Sequence, residues 1–206
     1  MKYARKTFFK DYRFLIDENV YAPAEDTFLL AENLQVSKGE FVLDMGTGCG
    51  ILAILAAEKA EKVLAVDINP YAIKCAKKNV EINGVKNKIE FILGDLFSPI
   101  KPEEVFDLIM FNAPYLPAEP DEEKSWIEKA WSGGKTGRKV IDRFIFNSPK
   151  FLRRNGRILL VQSSLSGINE SLKAFQKLGL ETRIIAEVKV PFERIVLIEA
   201  RRPYGL

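Results

Sequence analysis

Short apolar runs alternate along the chain with longer stretches whose apolar residues recur at helical spacing. Residues 41–44, 62–67, 88–93, 106–111 and 157–161 read as strands. Their near-continuous apolar character is that of strands buried on both faces. Between them, helices are expected over 25–34, 51–60, 70–83, within 137–152 and over 169–178. Pro23 sits near the start of the first, and Gly84 and Gly179 stop two of the others. The last two apolar runs, 182–190 and 194–200, are joined only by Pro191-Phe192-Glu193. That link is too short for a helical crossover, so these two strands must pair antiparallel. The pattern predicts an α/β fold with a seven-stranded, mostly parallel sheet, helices on both faces and a C-terminal antiparallel hairpin. It is read as one domain over 1–206, with 1–35 forming an N-terminal extension and helix.

The first predicted strand runs directly into Asp44-Met45-Gly46-Thr47-Gly48-Cys49-Gly50. Gly46, Gly48 and Gly50 allow a sharp turn and close approach of a ligand to the backbone. The apolar helix that follows points its N-terminus at the same place. The spacing is G-x-G-x-G, not the G-x-G-x-x-G of dinucleotide enzymes. It favours S-adenosylmethionine, which has no pyrophosphate to cradle, and with it a class I methyltransferase version of the doubly wound sheet. In such sheets ligands sit outside the carboxyl ends of the strands. Those ends carry Asp44, Asp67, Asp95 and Asn112. Asp44 is expected to face the cationic amino or sulfonium end of the cofactor. Asp67 is expected to accept from both ribose hydroxyls, although a helix-capping role competes for it. Asp95 is expected to accept from the adenine amino group, with Ile68 or Leu96 packed on the ring.

Composition narrows the chemistry further. The 206 residues contain no histidine, which excludes Ser/His/Asp and Cys/His nucleophilic catalysis. Cys49 and Cys75 form neither a disulfide framework nor a metal spacing, so no metal is expected. A net charge of +3 permits an acidic or nucleic-acid partner without arguing for one. No apolar run reaches the length of a membrane span, and the first residues lead into no signal-peptide core. A cytoplasmic protein is expected. Abundant Lys, Glu and Ile with few Gln, Met and Cys resemble the composition of heat-adapted proteins.

Asn112-Ala113-Pro114-Tyr115 follows the fourth predicted strand, beside the place where the cofactor's methyl group should point. The Asn112 amide oxygen and the residue-113 carbonyl are two acceptors. Together they can hold an NH2 group by both hydrogens and aim its lone pair, while Tyr115 packs on a planar amide or base. The gain is positioning, which needs no proton shuttle.

These motifs resemble the HemK-type amino-methyltransferases. Two segments narrow the resemblance to their short branch of eukaryotes and archaea. One is Val20-Tyr21-Ala22-Pro23-Ala24-Glu25-Asp26-Thr27-Phe28-Leu29-Leu30. The other is Ala130-Trp131-Ser132-Gly133-Gly134-Lys135-Thr136-Gly137-Arg138-Lys139-Val140-Ile141-Asp142-Arg143-Phe144. The resemblance runs from about Val20 to the C-terminus. It implies methylation of the side-chain amide nitrogen of the glutamine in a Gly-Gly-Gln motif of a class I translation termination factor. It also implies a small zinc-binding activator. It carries over cofactor contacts to Thr27, Gly46, Gly48, Asp67, Asp95 and Asn112. Glutamine-amide contacts carry over to Asn112, the residue-113 carbonyl and Tyr115, with Pro23 and Glu25 lining the cofactor or substrate side. Ala113 departs from the family tetrapeptide, which has proline there. The acceptor is kept, but the fixed φ is lost.

The same two-acceptor site would serve an exocyclic amino group of adenine or guanine in DNA or RNA. Such enzymes normally bring a recognition domain or a broad basic groove. Lysine fits poorly because its ammonium must first lose a proton, and a non-catalytic scaffold would not need intact glycines and strand-end acids. The strand over 88–93 is expected at a sheet edge. Either the activator adds a strand there, or the chain's own N-terminus, with Tyr3, Phe8, Phe9 and Phe14, covers it. Trp126, Trp131 and Phe144 are candidates for a lid or for core packing. Arg138, Lys139 and Arg143 are candidates for a partner-facing surface or a solvated helix face.

Overall fold

In the computed structural model, residues 2–103, 105–119 and 125–203 are described. The chain opens with a hairpin, β1 (Tyr3–Phe9) and β2 (Tyr12–Asp17). It continues through α1 (Glu25–Asn33), β3 (Phe41–Met45), α2 (Ile51–Ala57), β4 (Lys62–Asp67), α3 (Pro70–Ile82), β5 (Ile89–Leu93) and β6 (Phe106–Asn112). The short α4 (Trp126–Trp131) precedes α5 (Lys139–Asn147), β7 (Leu152–Ser163), α6 (Ile168–Lys177), β8 (Glu181–Val190) and β9 (Glu193–Arg201).

Seven strands form one sheet in the order β5-β4-β3-β6-β7-β9-β8. The five from β5 to β7 are parallel, and β9 runs antiparallel to both β7 and β8. The expected architecture is therefore present, including the C-terminal hairpin. Val42, Leu43, Val63, Ala65, Val66, Leu108, Ile109 and Met110 are buried in the middle of the sheet, and every residue of α2 is buried beside them. The order reverses around β3, which pairs with β4 on one side and β6 on the other. A ligand crevice belongs at such a switch point.

The N-terminal residues do not cover the edge strand. β1 and β2 form their own two-stranded sheet and do not extend the main one. Asn79 of α3 and Asn83 at its C-cap hold β2 in place of a neighbouring strand. Leu15 N donates to Asn79 Oδ1 at 2.8 Å, and Asn79 Nδ2 returns a bond to Leu15 O at 2.9 Å. Asn83 treats the backbone of Arg13 in the same way, at 3.1 and 2.9 Å. This docking buries Phe14 and Ile16, and Phe9 stacks on Phe28 of α1 at 5.6 Å. The N-terminus thus packs on α3 and α1, not along β5. Among the described residues no strand pairs with the outer side of β5, where Leu93 is 55% exposed.

Candidate active site

A cavity of about 630 Å³ lies over the carboxyl ends of β3, β4, β5 and β6. Of the residues singled out in the sequence, Pro23, Thr27, Gly46, Gly48, Asp67, Ile68, Asp95, Leu96, Asn112, Ala113, Pro114 and Tyr115 line it. Glu25, Asp44 and Gly50 do not line it, and each has another position in the structure.

The three glycines all have positive φ but different surroundings. A β-carbon on Gly48 would meet no protein atom closer than 4.0 Å, so the space beside it belongs to the cavity. On Gly46 it would stand 3.0 Å from the Phe111 ring. On Gly50 it would stand 2.9 Å from the β-carbon of Ala76, which makes that glycine a helix-packing residue. Asp44 is fully buried. Its Oδ2 accepts from Thr47 Oγ1 at 2.6 Å and from Ala53 N at 3.1 Å, tying the glycine turn to α2. Its Oδ1 has no partner, and burial pushes its carboxyl up to about 7.

Asp67 ends β4 with both oxygens engaged by backbone. Gly48 N donates to Oδ2 at 2.9 Å and Asn69 N to Oδ1 at 2.8 Å. Burial raises its pKa while these N–H groups oppose the rise. Asn69, two residues on, caps α3 by accepting from Tyr71 N at 2.9 Å, so the capping role falls to Asn69 and not to Asp67. Each Asp67 oxygen keeps further acceptor capacity toward the cavity. Asp95 accepts from Arg143 Nη2 at 2.7 Å, an ion pair that ties α5 to the end of β5. A glycine turn that leaves room for a ligand, a strand-end carboxylate braced by N–H groups and the apolar Ile68 and Leu96 together suit an adenosyl ligand.

The sequence reading missed Asp26. It is 4% exposed and stands where four side chains converge. Its Oδ2 accepts from Asn112 Nδ2 at 3.0 Å and from Tyr115 Oη at 3.2 Å. Its Oδ1 accepts from Thr27 N at 2.6 Å and Thr27 Oγ1 at 3.2 Å, and Tyr21 Oη lies 3.4 Å from both oxygens. Burial and then the Asp26 charge raise the pKa of both phenols, which therefore stay protonated as donors. Asn112 Nδ2 also donates to Thr27 Oγ1 at 3.1 Å. Asn112 Oδ1 is buried and has no partner.

The loop that follows Tyr115 is stitched to the 130–144 segment. Leu116 N donates to Trp131 O at 2.9 Å, Gly133 N to Leu116 O at 2.8 Å and Ala118 N to Gly134 O at 3.1 Å. A β-carbon on Gly137 would fall 2.3 Å from Tyr115 O, so the loop after α4 can press on the Tyr115 loop only with glycine there. Trp126, Lys129, Trp131, Lys139 and Arg143 also line the cavity. Phe144 is core instead, fully buried against Phe111 and Phe97. Arg138 is half-buried and held within the chain, its Nη2 donating to Asp142 Oδ1 at 2.5 Å. Its Nη1 donates to Ser166 O at 2.6 Å and Gly167 O at 2.8 Å.

The fold and this strand-end cavity define a class I methyltransferase, for which S-adenosylmethionine is the methyl donor. The chain belongs to the methyltransferase small domain family, whose profile matches residues 11–186. It is 44% identical over 185 residues to a Methanocaldococcus jannaschii protein provisionally named a protein N5-glutamine methyltransferase, covering 89% of this chain and 92% of that one. It is 37% identical over 174 residues to methyltransferase HEMK2 of Homo sapiens, covering 79% and 80%. Among solved structures it resembles the E. cuniculi Mtq2–Trm112 complex, responsible for methylation of the eRF1 translation termination factor. The TM-score is 0.67 and the identity 25%, over 90% of this chain and 99% of that chain. Among the described residues, no helix is long and apolar enough to cross a membrane.

Proposed function

We propose that this chain transfers a methyl group from S-adenosylmethionine to the side-chain amide nitrogen of a glutamine, in the Gly-Gly-Gln motif of a class I translation termination factor. The observation that carries this reading is the buried, unpartnered Asn112 Oδ1 at the end of β6, next to the Ala113 carbonyl. An unmet buried acceptor is costly unless a ligand supplies the donor. A primary amide brings two N–H donors in one plane, which suits two neighbouring acceptors. The names of the relatives agree with an amide substrate.

S-adenosylmethionine supplies an electrophilic methyl group on a sulfonium. Asn112 and the Ala113 carbonyl hold the amide NH2 and turn its nitrogen toward that methyl. Tyr115 and Pro114 border the amide plane, and Trp126 and Trp131 close the cavity from the α4 side. Asp67 takes the ribose hydroxyls, and Asp95, Ile68 and Leu96 take the adenine. Alignment of this kind contributes several kcal/mol without a histidine.

The open edge of β5, with exposed Leu93, is the surface for a small partner protein that adds a strand. We infer that such a partner forms a heterodimer with this chain, and that it is a zinc-binding activator. Size-exclusion chromatography with the candidate activator tests this. A complex that survives Leu93→Lys would place the partner elsewhere.

The decisive experiment is mass spectrometry of an archaeal-type release factor incubated with this protein, S-adenosylmethionine and the activator. One added methyl on the Gly-Gly-Gln peptide, absent with Asn112→Ala, is the expected result. An unmodified factor, with cofactor binding intact, would redirect the search to exocyclic amino groups of nucleic acid.

A further inference from the structure

Asn112 reads its substrate through one face of a side-chain amide, and an amide can present either its oxygen or its nitrogen. The surroundings of Asp26 decide which. An ionised carboxylate only accepts hydrogen bonds. Every group around it is a donor: Asn112 Nδ2, the two tyrosine hydroxyls, Thr27 N and Thr27 Oγ1. Asn112 must therefore turn its nitrogen to Asp26, and its buried oxygen is left as the acceptor without a protein partner. Thr27 Oγ1 reinforces the choice, because its own proton is directed at Asp26 Oδ1 and its lone pair receives Asn112 Nδ2.

We propose that Asp26 is the positioning residue that sets the hydrogen-bond polarity of the methyl-transfer site and so selects an NH2-bearing substrate. The inference rests on the amide-methylation reading above. Asp26 lines the same cavity, and the role assigned to it is exerted through its bond to Asn112. A donor bond to a charged acceptor also polarises the Asn112 amide, strengthening Oδ1 as an acceptor.

The geometry makes a specific claim about Asp26→Asn. Thr27 N is a backbone donor that cannot turn away, and it lies 2.6 Å from Oδ1. The new amide must keep its oxygen there, so its NH2 faces Asn112. Asn112 then flips, gives its oxygen to residue 26 and presents its own NH2 to the substrate. Two donors now face each other where donor and acceptor met before. Placing Asn112→Asp on top of Asp26→Asn reverses this. An all-acceptor residue 112 takes the amide of residue 26 with one oxygen and again offers the other to the substrate.

The test measures methyl transfer to the release factor in the presence of the activator, with S-adenosylhomocysteine binding by calorimetry as the control for folding. Asp26→Asn is expected to lower kcat/KM about 100-fold while cofactor-product affinity stays within about threefold, the size of one lost and one mismatched buried hydrogen bond. The double variant is expected to recover about tenfold over the single one. Wild-type activity in Asp26→Asn would overturn the inference, as would loss of S-adenosylhomocysteine binding in parallel with activity. So would a double variant no better than the single. A wild-type protein that leaves the glutamine unmodified would instead overturn the glutamine reading, and this inference with it.

Discussion

Gly50 lies so close to Ala76 that a β-carbon on the glycine would stand 2.9 Å from that of the alanine, whereas the same atom on Gly48 would meet open space. Two glycines of one motif therefore have different jobs. Gly50→Ala must overcome both a φ of +87° and a close contact between α2 and α3, and it should cost about 2–4 kcal/mol of stability. Gly48→Ala meets only the backbone penalty at φ +56°, about 1–2 kcal/mol, but fills cavity space where the proposed cofactor would sit. Urea melts and cofactor titrations on both variants separate these effects. Equal stability losses, or intact cofactor binding in Gly48→Ala, would show that the division between the two glycines is wrong.

Arg143 reaches Asp95 at 2.7 Å, with the two side chains 53% and 43% exposed. An ion pair this open is worth at most about 1 kcal/mol and is screened by salt. Its use is to hold the Asp95 carboxylate in one orientation at the expected adenine subsite. Arg143→Ala should weaken S-adenosylmethionine binding about threefold at low salt, with little effect at high salt. Asp95→Ala should weaken it about tenfold at either, because an acceptor for the adenine amino group is gone. Calorimetric titrations at two salt concentrations check both. A salt-independent effect of Arg143→Ala would mean that it contacts the cofactor directly.

The middle of the sheet was legible because β3, β4, β6, β7 and β9 are largely buried and need near-continuous apolar runs. Three elements were not, each for a local reason. β1 and β2 interrupt their apolar residues with Arg5, Lys6, Thr7 and Arg13, because the hairpin is covered on one side only. β7 begins at Leu152, yet Arg153-Arg154-Asn155-Gly156 reads as a turn. Asn155 indeed has a φ of +63°, and the register slips there, with Phe106 opposite Leu152 but Leu108 opposite Arg157. α4 was announced by Ser125 and Glu128, which form a capping box in the structure. Its six residues are too few for a periodic signal. Among site residues, Glu25 and Asp26 are adjacent acids at the start of α1, and only the helix register decides that Asp26 turns inward. No spacing rule distinguishes the two. The clue available was Tyr21, five residues before Asp26, together with Tyr115.

Ala113 is the one departure within the Asn112–Tyr115 motif, and it is 2% exposed at the exit of β6. Proline at this position would fix φ and remove freedom that the loop must otherwise lose when substrate binds. Ala113→Pro should speed methyl transfer about two- to fivefold, the rate equivalent of the 0.4–1 kcal/mol that such a substitution contributes at a compatible site. Cofactor affinity should not change. Single-turnover rates on the release factor make the comparison, and an unchanged or slower rate would show that the loop is already as rigid as it needs to be.

Asp44 gives the protein a pH dependence of predictable sign. Burial raises its carboxyl to about 7, the bonds from Thr47 and Ala53 offset only part of that, and the nearby Asp67 charge adds to it. In the unfolded chain the same group titrates near 3.9. Between those values the folded state holds a proton that the unfolded state has lost. Stability therefore falls as pH rises through this window and levels off above it. The size of the effect is a few kcal/mol at most. Asp44→Asn cannot titrate, so the difference in unfolding free energy between wild type and variant should change most steeply between about pH 5 and pH 7 and become flat near pH 8. Urea melts across that range in the absence of cofactor measure it directly. Parallel stability curves for the two proteins would mean that Asp44 is ionised in the folded state throughout, with its buried Oδ1 satisfied by water.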